Sequence, residues 1–338
     1  MSSLRQIKHI IRKGGTVLLL LTLAGCGGVT NFVDTSASSV TESEASLYRV
    51  LIVLSALVFA VVVSVLTYDI IRFRVRPGAQ PTPDQHYRHL LIEGIYTGIP
   101  LLIVIGIFIL TLSVLRSVAE PADSPDDLAV QVVGHQWWWE FDYPNLGIIT
   151  ANELVVPVDT TIQIDLHSVD VIHSFYVPAL SGKTDVIPGV NNSMWFRAEE
   201  VGDYPGQCAE FCGLNHANMR FVVRVVDQST FDEWVANQQQ PPTQPETDLE
   251  QRGHDIIVNG VCSSCHVLGD NGPQNPIGPN LTHLFSRSRF AGGTFELNVD
   301  NLRRWLQNTQ AMKPGNDMQV NLSSDQIDAL IAYLQTLE

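Results

Sequence analysis

Two long apolar runs constrain this chain more than any other feature. Leu47 to Tyr68 carries one charge, Arg49 near its start, and Ile95 to Leu115 carries none. Each matches or exceeds the about 20 residues a helix needs to cross bilayer hydrocarbon. Neither shows a polar face, which a helix packed on a soluble core would keep. Inside a bilayer the backbone must satisfy its own hydrogen bonds, so the runs are predicted as a transmembrane helical hairpin, at about 47–68 and 95–115. The intervening loop holds Arg72, Arg74, Arg76 and Arg88 against Asp69, Asp84 and Glu93. That arginine excess places the loop in the cytoplasm, and parity puts everything after residue 118 on the outer face.

The N-terminus agrees with export. Arg5, Lys8, Arg12 and Lys13 precede a short apolar run, Thr16 to Leu23, the pattern of a signal peptide over residues 1–25. Leu23-Ala24-Gly25-Cys26 resembles a bacterial lipoprotein cleavage box and makes Cys26 a lipidation candidate; an ordinary signal peptide with a chance cysteine is the alternative. Residues 26–118 then hold the N-terminal segment and the hairpin.

Beyond the hairpin the pattern changes. Val130–Val133, Leu154–Val156, Thr161–Ile164, Met194–Phe196 and Phe221–Val225 are short β-type runs separated by Gly, Pro, Asn and Asp. Such spacing without helices predicts an all-β sandwich or barrel over 119–236. Residues 119–240 carry 4 basic and 18 acidic side chains, most of the net charge of −15. That surface excludes nucleic acid as a partner and suits a basic protein. Residues 237–248 read as a proline-containing linker. The last segment, 249–338, is predicted helical: Ser323 and Gln326 have capping-box spacing, and Ile327, Leu330, Ile331 and Leu334 share one face.

The cysteines carry the chemistry. Cys208, Cys212, His216 and Met219 form C-x3-C-x3-H-x2-M. Two thiolates, an imidazole and a thioether suit copper, since soft sulfur ligands select it. One copper needs one thiolate; two can bridge a pair. A second histidine must then come from elsewhere, and His173 is the best candidate. A Cys208–Cys212 disulfide would leave His216 and Met219 unexplained, and zinc rarely takes methionine. Cys262-Ser-Ser-Cys265-His266 is the haem c attachment pattern, with His266 as proximal ligand. Met312 and Met318 are the methionines available downstream for the sixth position. His254 and His283 are nearby and read as surface residues.

These motifs carry a resemblance. Gly134-His-Gln-Trp-Trp-Trp-Glu-Phe-Asp-Tyr143, Asp170-Val-Ile-His-Ser-Phe, Lys183-Thr-Asp-Val-Ile-Pro-Gly189 and the cysteine loop resemble the cytochrome c oxidase subunit II family, over about residues 45–227. The resemblance implies a cupredoxin-like barrel with a dinuclear CuA centre. It implies that Cys208 and Cys212 bridge the coppers, that His173 and His216 cap them, and that Met219 and the Glu210 carbonyl complete the site. It further implies a magnesium at the Glu210 carboxylate, at the interface with subunit I, and that electrons from a docked cytochrome c enter at Trp137. Tyr96 departs from the family's usual tryptophan. Lys313-Pro-Gly-Asn-Asp-Met318 resembles the ligand loop of small class I cytochromes c, which favours Met318, although Gln319 replaces the usual proline. Gly278-Pro-Asn-Leu281 resembles the segment whose proline carbonyl holds the proximal histidine, here Pro279. A cytochrome c fused to subunit II matches a known bacterial oxidase type.

The expectation is an electron-transfer subunit of a respiratory terminal oxidase, in the bacterial inner membrane with its copper and haem domains on the periplasmic face. Its partners would be subunit I, further oxidase subunits and a small electron-donor protein. Electrons would pass through haem c and CuA to subunit I, which reduces oxygen to water. The haem domain should dock near Trp137, held by its linker, and the acidic copper domain can attract basic groups such as Arg287, Arg289, Arg303 and Arg304 of the haem domain or those of an external donor. The rivals are a copper-dependent nitric oxide reductase subunit and a stand-alone tethered electron carrier or copper store.

Overall fold

The computed structural model describes residues 36–74, 78, 88–119, 127–274 and 276–338; Cys26 and the signal segment lie outside them. Helix α1 spans Ser39–Arg72 and α2 spans Leu90–Ala119. Both outrun the apolar stretches that predict them. In α1 the extra length is polar and local: Ser38 caps the helix by accepting from Thr41 N, and Glu42 lies in the first turn. That first turn is buried on the β-domain. The Ser38 hydroxyl donates to Leu180 O at 2.5 Å and the Thr41 hydroxyl to Ala179 O at 2.9 Å. From Val50 onward the apolar side chains of both helices are largely exposed, which fits a lipid-facing hairpin. The Trp195 indole donates to Val118 O at 2.9 Å, so the end of α2 is tied to the same domain.

The β-domain is two five-stranded sheets face to face, with orders β3-β2-β1-β5-β8 and β4-β10-β9-β6-β7. The strands are β1 Leu128–His135, β2 Trp138–Tyr143, β3 Ile148–Ala151, β4 Glu153–Pro157, β5 Thr161–Ser168, β6 His173–Val177, β7 Ser181–Val186, β8 Asn192–Arg197, β9 Gly202–Cys208 and β10 Arg220–Val226. Alternation decides the faces. In β5, Ile162, Ile164 and Leu166 point inward, and in β10 Phe221, Val223 and Val225 do. Trp139, Phe141, Phe175 and Phe221 close the core edge to face or stacked. A helix absent from the sequence expectation, α3 Gln228–Gln238, is capped by Asp227 and packs Phe231 and Trp234 beneath Tyr143.

The C-terminal domain is helical: α4 Asp248–Asn259, α5 Val299–Gln307, α6 Thr309–Met312 and α7 Ser324–Leu334. Capping boxes open both α4 and α7, the second on Ser323 and Gln326 as the spacing predicts. The helices α4 and α7 cross so closely that a Cβ on Gly253 would sit 2.1 Å from Ala329 O. His283 corrects the surface expectation. It is buried, with one ring nitrogen 2.9 Å from Glu338 O and the other 3.1 Å from Gln240 O.

The two extramembrane domains share an interface built on backbone rather than on surface arginines. Arg220 N donates to Gly292 O at 2.8 Å. Gly292 and Gly293 adopt φ of +71° and +68°, and a Cβ on either would meet a copper-domain carbonyl, Trp137 O at 2.5 Å or Arg220 O at 2.6 Å. One oxygen of buried Glu153 accepts from Ser288 N, Ser288 Oγ and Arg289 N. Three of the four arginines expected to meet the acidic copper domain make their side-chain bonds within the haem domain, although Arg287 still feels the charge of Glu153. Arg287 is buried inside the haem domain, the Arg289 guanidinium turns onto Gly293 O and Thr294 O, and Arg303 pairs with Asp328. Unpaired main-chain polar groups are costly to bury, so they dictate how such a face is matched.

Candidate metal centre and haem cavity

The end of β9, the loop after it and the start of β6 converge on one buried point. Cys208 closes β9, Cys212 and His216 follow in the loop, and Met219 precedes β10. The Cys208 and Cys212 sulfurs are 3.8 Å apart. His173 Nδ1 lies 3.9 Å from Cys208 Sγ, and His216 Nδ1 lies 3.6 Å from Cys212 Sγ. Met219 Sδ is 3.7 Å from Cys212 Sγ, and Glu210 O is 3.2 Å from Cys208 Sγ. His173 and Met219 are wholly buried. All six sequence candidates therefore meet at this point.

The shell around them fixes the donors. Asp170 Oδ1 sits 2.7 Å from His173 Nε2, which turns Nδ1 toward the thiols. Asp170 also accepts from Gln136 N and Val171 N. Burial opposes the charged imidazole, but the contacts with Asp170 and Cys208 together outweigh it and His173 is pushed up. The bond from Cys212, helped by His173, pushes the Cys208 thiol down. A ready thiolate is what a soft metal needs. Among the described residues, His173, Cys208 and Cys212 form a cluster able to hold a metal ion. The Glu210 carboxylate is not part of it, so the magnesium expectation finds no support.

The second site is a cavity in the helical domain. Cys262, Cys265 and His266 form one wall, on the turn after α4, and Met318 another. His266 Nδ1 is 2.8 Å from Pro279 O, leaving Nε2 for the cavity. The Met318 sulfur accepts from Trp305 Nε1 at 3.2 Å, and Asn316 Oδ1 accepts from Met318 N at 2.9 Å. Met312 packs among the apolar side chains behind, and Met318 is the methionine that lines the cavity. Arg287 is buried beside it with an unpartnered Nε, and burial pushes its guanidinium down to about 10. Apolar walls, paired thiols, an imidazole and a buried guanidinium fit a haem with its carboxylates.

One wall of this cavity belongs to the copper domain: Gln136, Trp137, Trp138 and Asn152 line it. The Trp137 indole donates to Cys212 O at 2.9 Å. Trp138 donates to Ile277 O at 3.1 Å and stacks on His135 at 4.0 Å. Sequence reasoning found Trp137 through resemblance and missed Trp138, Glu153 and Lys313, whose parts arise at a domain contact.

Comparison with known proteins follows the same division. The family description "Cytochrome C oxidase subunit II, periplasmic domain" matches residues 147–226, and "Cytochrome c" matches 250–338. Cytochrome c oxidase subunit 2 of Alkalihalophilus pseudofirmus is 33% identical over 293 residues, covering 85% of each chain. The chain belongs to the cytochrome c oxidase subunit II family. The Bacillus subtilis subunit 2 is also 33% identical, over 95% of this chain and 96% of its own. The periplasmic domain of subunit II from Bradyrhizobium japonicum is 36% identical to it, covering 34% of this chain and 96% of that one with a TM-score of 0.33. As a subunit II this chain is part of an oxidoreductase, with a CuA-type copper domain and a haem c domain on a two-helix hairpin.

Proposed function

We propose that this subunit II takes electrons from a small donor protein into its haem domain and passes them through its copper domain to a haem–copper subunit I, where oxygen is reduced to water. Cys262 and Cys265 would attach the haem, and His266 and Met318 would hold its iron. Cys208 and Cys212 would hold the copper through their thiolates, with His173, His216, Met219 and the Glu210 carbonyl completing the set. When bound, the two groups would supply one-electron transfer chemistry. The chain's own residues place them, exclude water and set the path between them. The hairpin would sit in the bacterial inner membrane with both domains on the periplasmic side, and Cys26, outside the described residues, would carry a lipid.

One observation carries the proposal: Trp137 belongs to the haem cavity wall and to the copper loop at once, through its bond to Cys212 O. Flash reduction of haem c in the intact oxidase tests it. Copper should be reduced as haem c is reoxidised, at a rate independent of protein concentration. Trp137→Gln should slow that step by at least about tenfold, a barrier change of about 1.4 kcal/mol, with both optical spectra intact. Copper reduced before the haem would refute the order.

A further inference from the structure

We propose that Lys313 is a positioning residue for electron transfer between the haem and copper domains: from the Met318 loop it crosses the interface and fixes Trp137 and the copper loop against the haem cavity. This rests on the transfer order proposed above. Lys313 is 4% exposed, and its ammonium group donates to three carbonyls: Trp137 O at 2.8 Å, Asn218 O at 3.1 Å and Ala291 O at 3.1 Å. An ammonium has three donors, and here each has an acceptor. Two of the three carbonyls are in the copper domain. Trp137 donates to Cys212 O, and Asn218 adjoins Met219.

The other end of Lys313 is equally committed. Asn316 Nδ2 donates to Lys313 O at 2.6 Å, and Asn316 Oδ1 accepts from Met318 N at 2.9 Å. One unbroken series of hydrogen bonds and covalent links therefore runs Met318, Asn316, Lys313, Trp137, Cys212. It joins the loop of one proposed haem ligand to the loop of one proposed copper thiolate. Burial pushes the Lys313 amine down to about 7, but even a neutral amine keeps two N–H donors for these carbonyls. Burying such a group is unfavourable for stability. Its return is geometry, since transfer needs both groups held at a fixed separation.

Lys313→Met in the intact oxidase tests this. The variant keeps the side chain's length and removes its donors. Two quantities are read: the flash-induced rate from haem c to copper, and the magnetic dipolar coupling between oxidised haem c and oxidised copper. We expect the rate to fall at least tenfold and the coupling to broaden. Both optical spectra and the onward rate from copper to subunit I should stay as in the parent. Gln238→Ala removes a different interdomain bond, to Ser286 Oγ at 3.1 Å, and should change neither quantity. A Lys313→Met rate within twofold of the parent with an unbroadened coupling overturns the proposal. Equal effects from Gln238→Ala also overturn it, because Lys313 would then be one interface bond among many. If Lys313→Met loses either cofactor, Lys313→Gln is read by the same criteria. Failure of the parent itself to pass electrons from haem c to copper would refute the transfer order. The coupling would still report on Lys313.

Discussion

Gly278→Ala isolates how the haem domain aims its histidine. Gly278 lies against the imidazole of His266: a Cβ there would be 2.5 Å from Cε1, 2.7 Å from Nδ1 and 3.0 Å from Nε2. Ordinary contact begins near 3.4 Å, so the ring or the loop must give way by about 1 Å. The ring has little freedom, because Nδ1 is already 2.8 Å from Pro279 O and Gly278 N donates to Cys265 O at 2.9 Å. Overpacking of this kind costs about 1–3 kcal/mol. If the ring escapes by breaking its bond to Pro279, about 0.5–1.5 kcal/mol more is lost. Together these give about 1.5–4.5 kcal/mol, which for a domain of this size lowers the unfolding midpoint by roughly 6 °C or more. Thermal unfolding of the intact chain, followed by haem absorbance, measures it. The same variant should weaken the iron–imidazole bond, seen as a partial high-spin spectrum at neutral pH. A midpoint within about 2 °C of the parent, too small for any overpacking cost of the size above, and an unchanged low-spin spectrum would refute the reasoning.

Met318→Ala should abolish the methionine–iron absorption band, and Met312→Ala should leave it, because Met318 alone of the two lines the cavity; the reverse pattern would exchange their roles. In the copper domain, burial pushes Glu140 up to about 7 and the neighbouring His135 down to about 4. A raised carboxyl holds a proton that the unfolded chain has released, so Glu140 removes stability as pH rises from about 4.5 to 7; a lowered imidazole refuses a proton that the unfolded chain binds, so His135 removes stability as pH falls from about 6.5 to 4. The slopes oppose one another where the windows overlap. Glu140→Gln should therefore unmask His135, and its stability relative to the parent should rise with pH between 4.5 and 6.5 by up to about 1.4 kcal/mol per unit. Near-ultraviolet circular dichroism melts at several pH values would show it, and parallel curves for parent and variant would contradict the assignment.

What the sequence made legible follows from how local each feature is. Cys208 at the end of β9 and Cys212, His216 and Met219 in the loop after it lie close together in sequence, so their spacing already encodes the cluster. His173 comes from another strand and was found because a histidine at a strand end can reach that loop. Met318 was separable from Met312 by the loop it ends. Lys313, Glu153 and Trp138 were not legible. Their partners are the carbonyls of Trp137 and Ile277 and the backbone of Ser288, over a hundred positions away in sequence, and a main-chain partner leaves no mark in composition or spacing. His283 misled for the same reason, since its partners are the carbonyls of Gln240 and Glu338. The helices α1 and α2 run past the apolar stretches because hydropathy reports where lipid ends, and in α1 the helix starts at the Ser38 cap.

The first turn of α1 has a mechanical meaning. The helix is continuous from Ser39 to Arg72, and at 1.5 Å per residue it measures about 51 Å, against a hydrocarbon slab of about 30 Å. Its first turn is clasped by Ala179 and Leu180, so the helix itself is fastened to the β-domain. The helix is thus a ruler as well as an anchor, setting both the height and the azimuth of the copper loop above the bilayer. One residue inserted in the lipid-facing stretch would lift that loop by about 1.5 Å and rotate it by roughly 100°. A subunit aligned in this way tolerates changes in side chain along its span far better than changes in length.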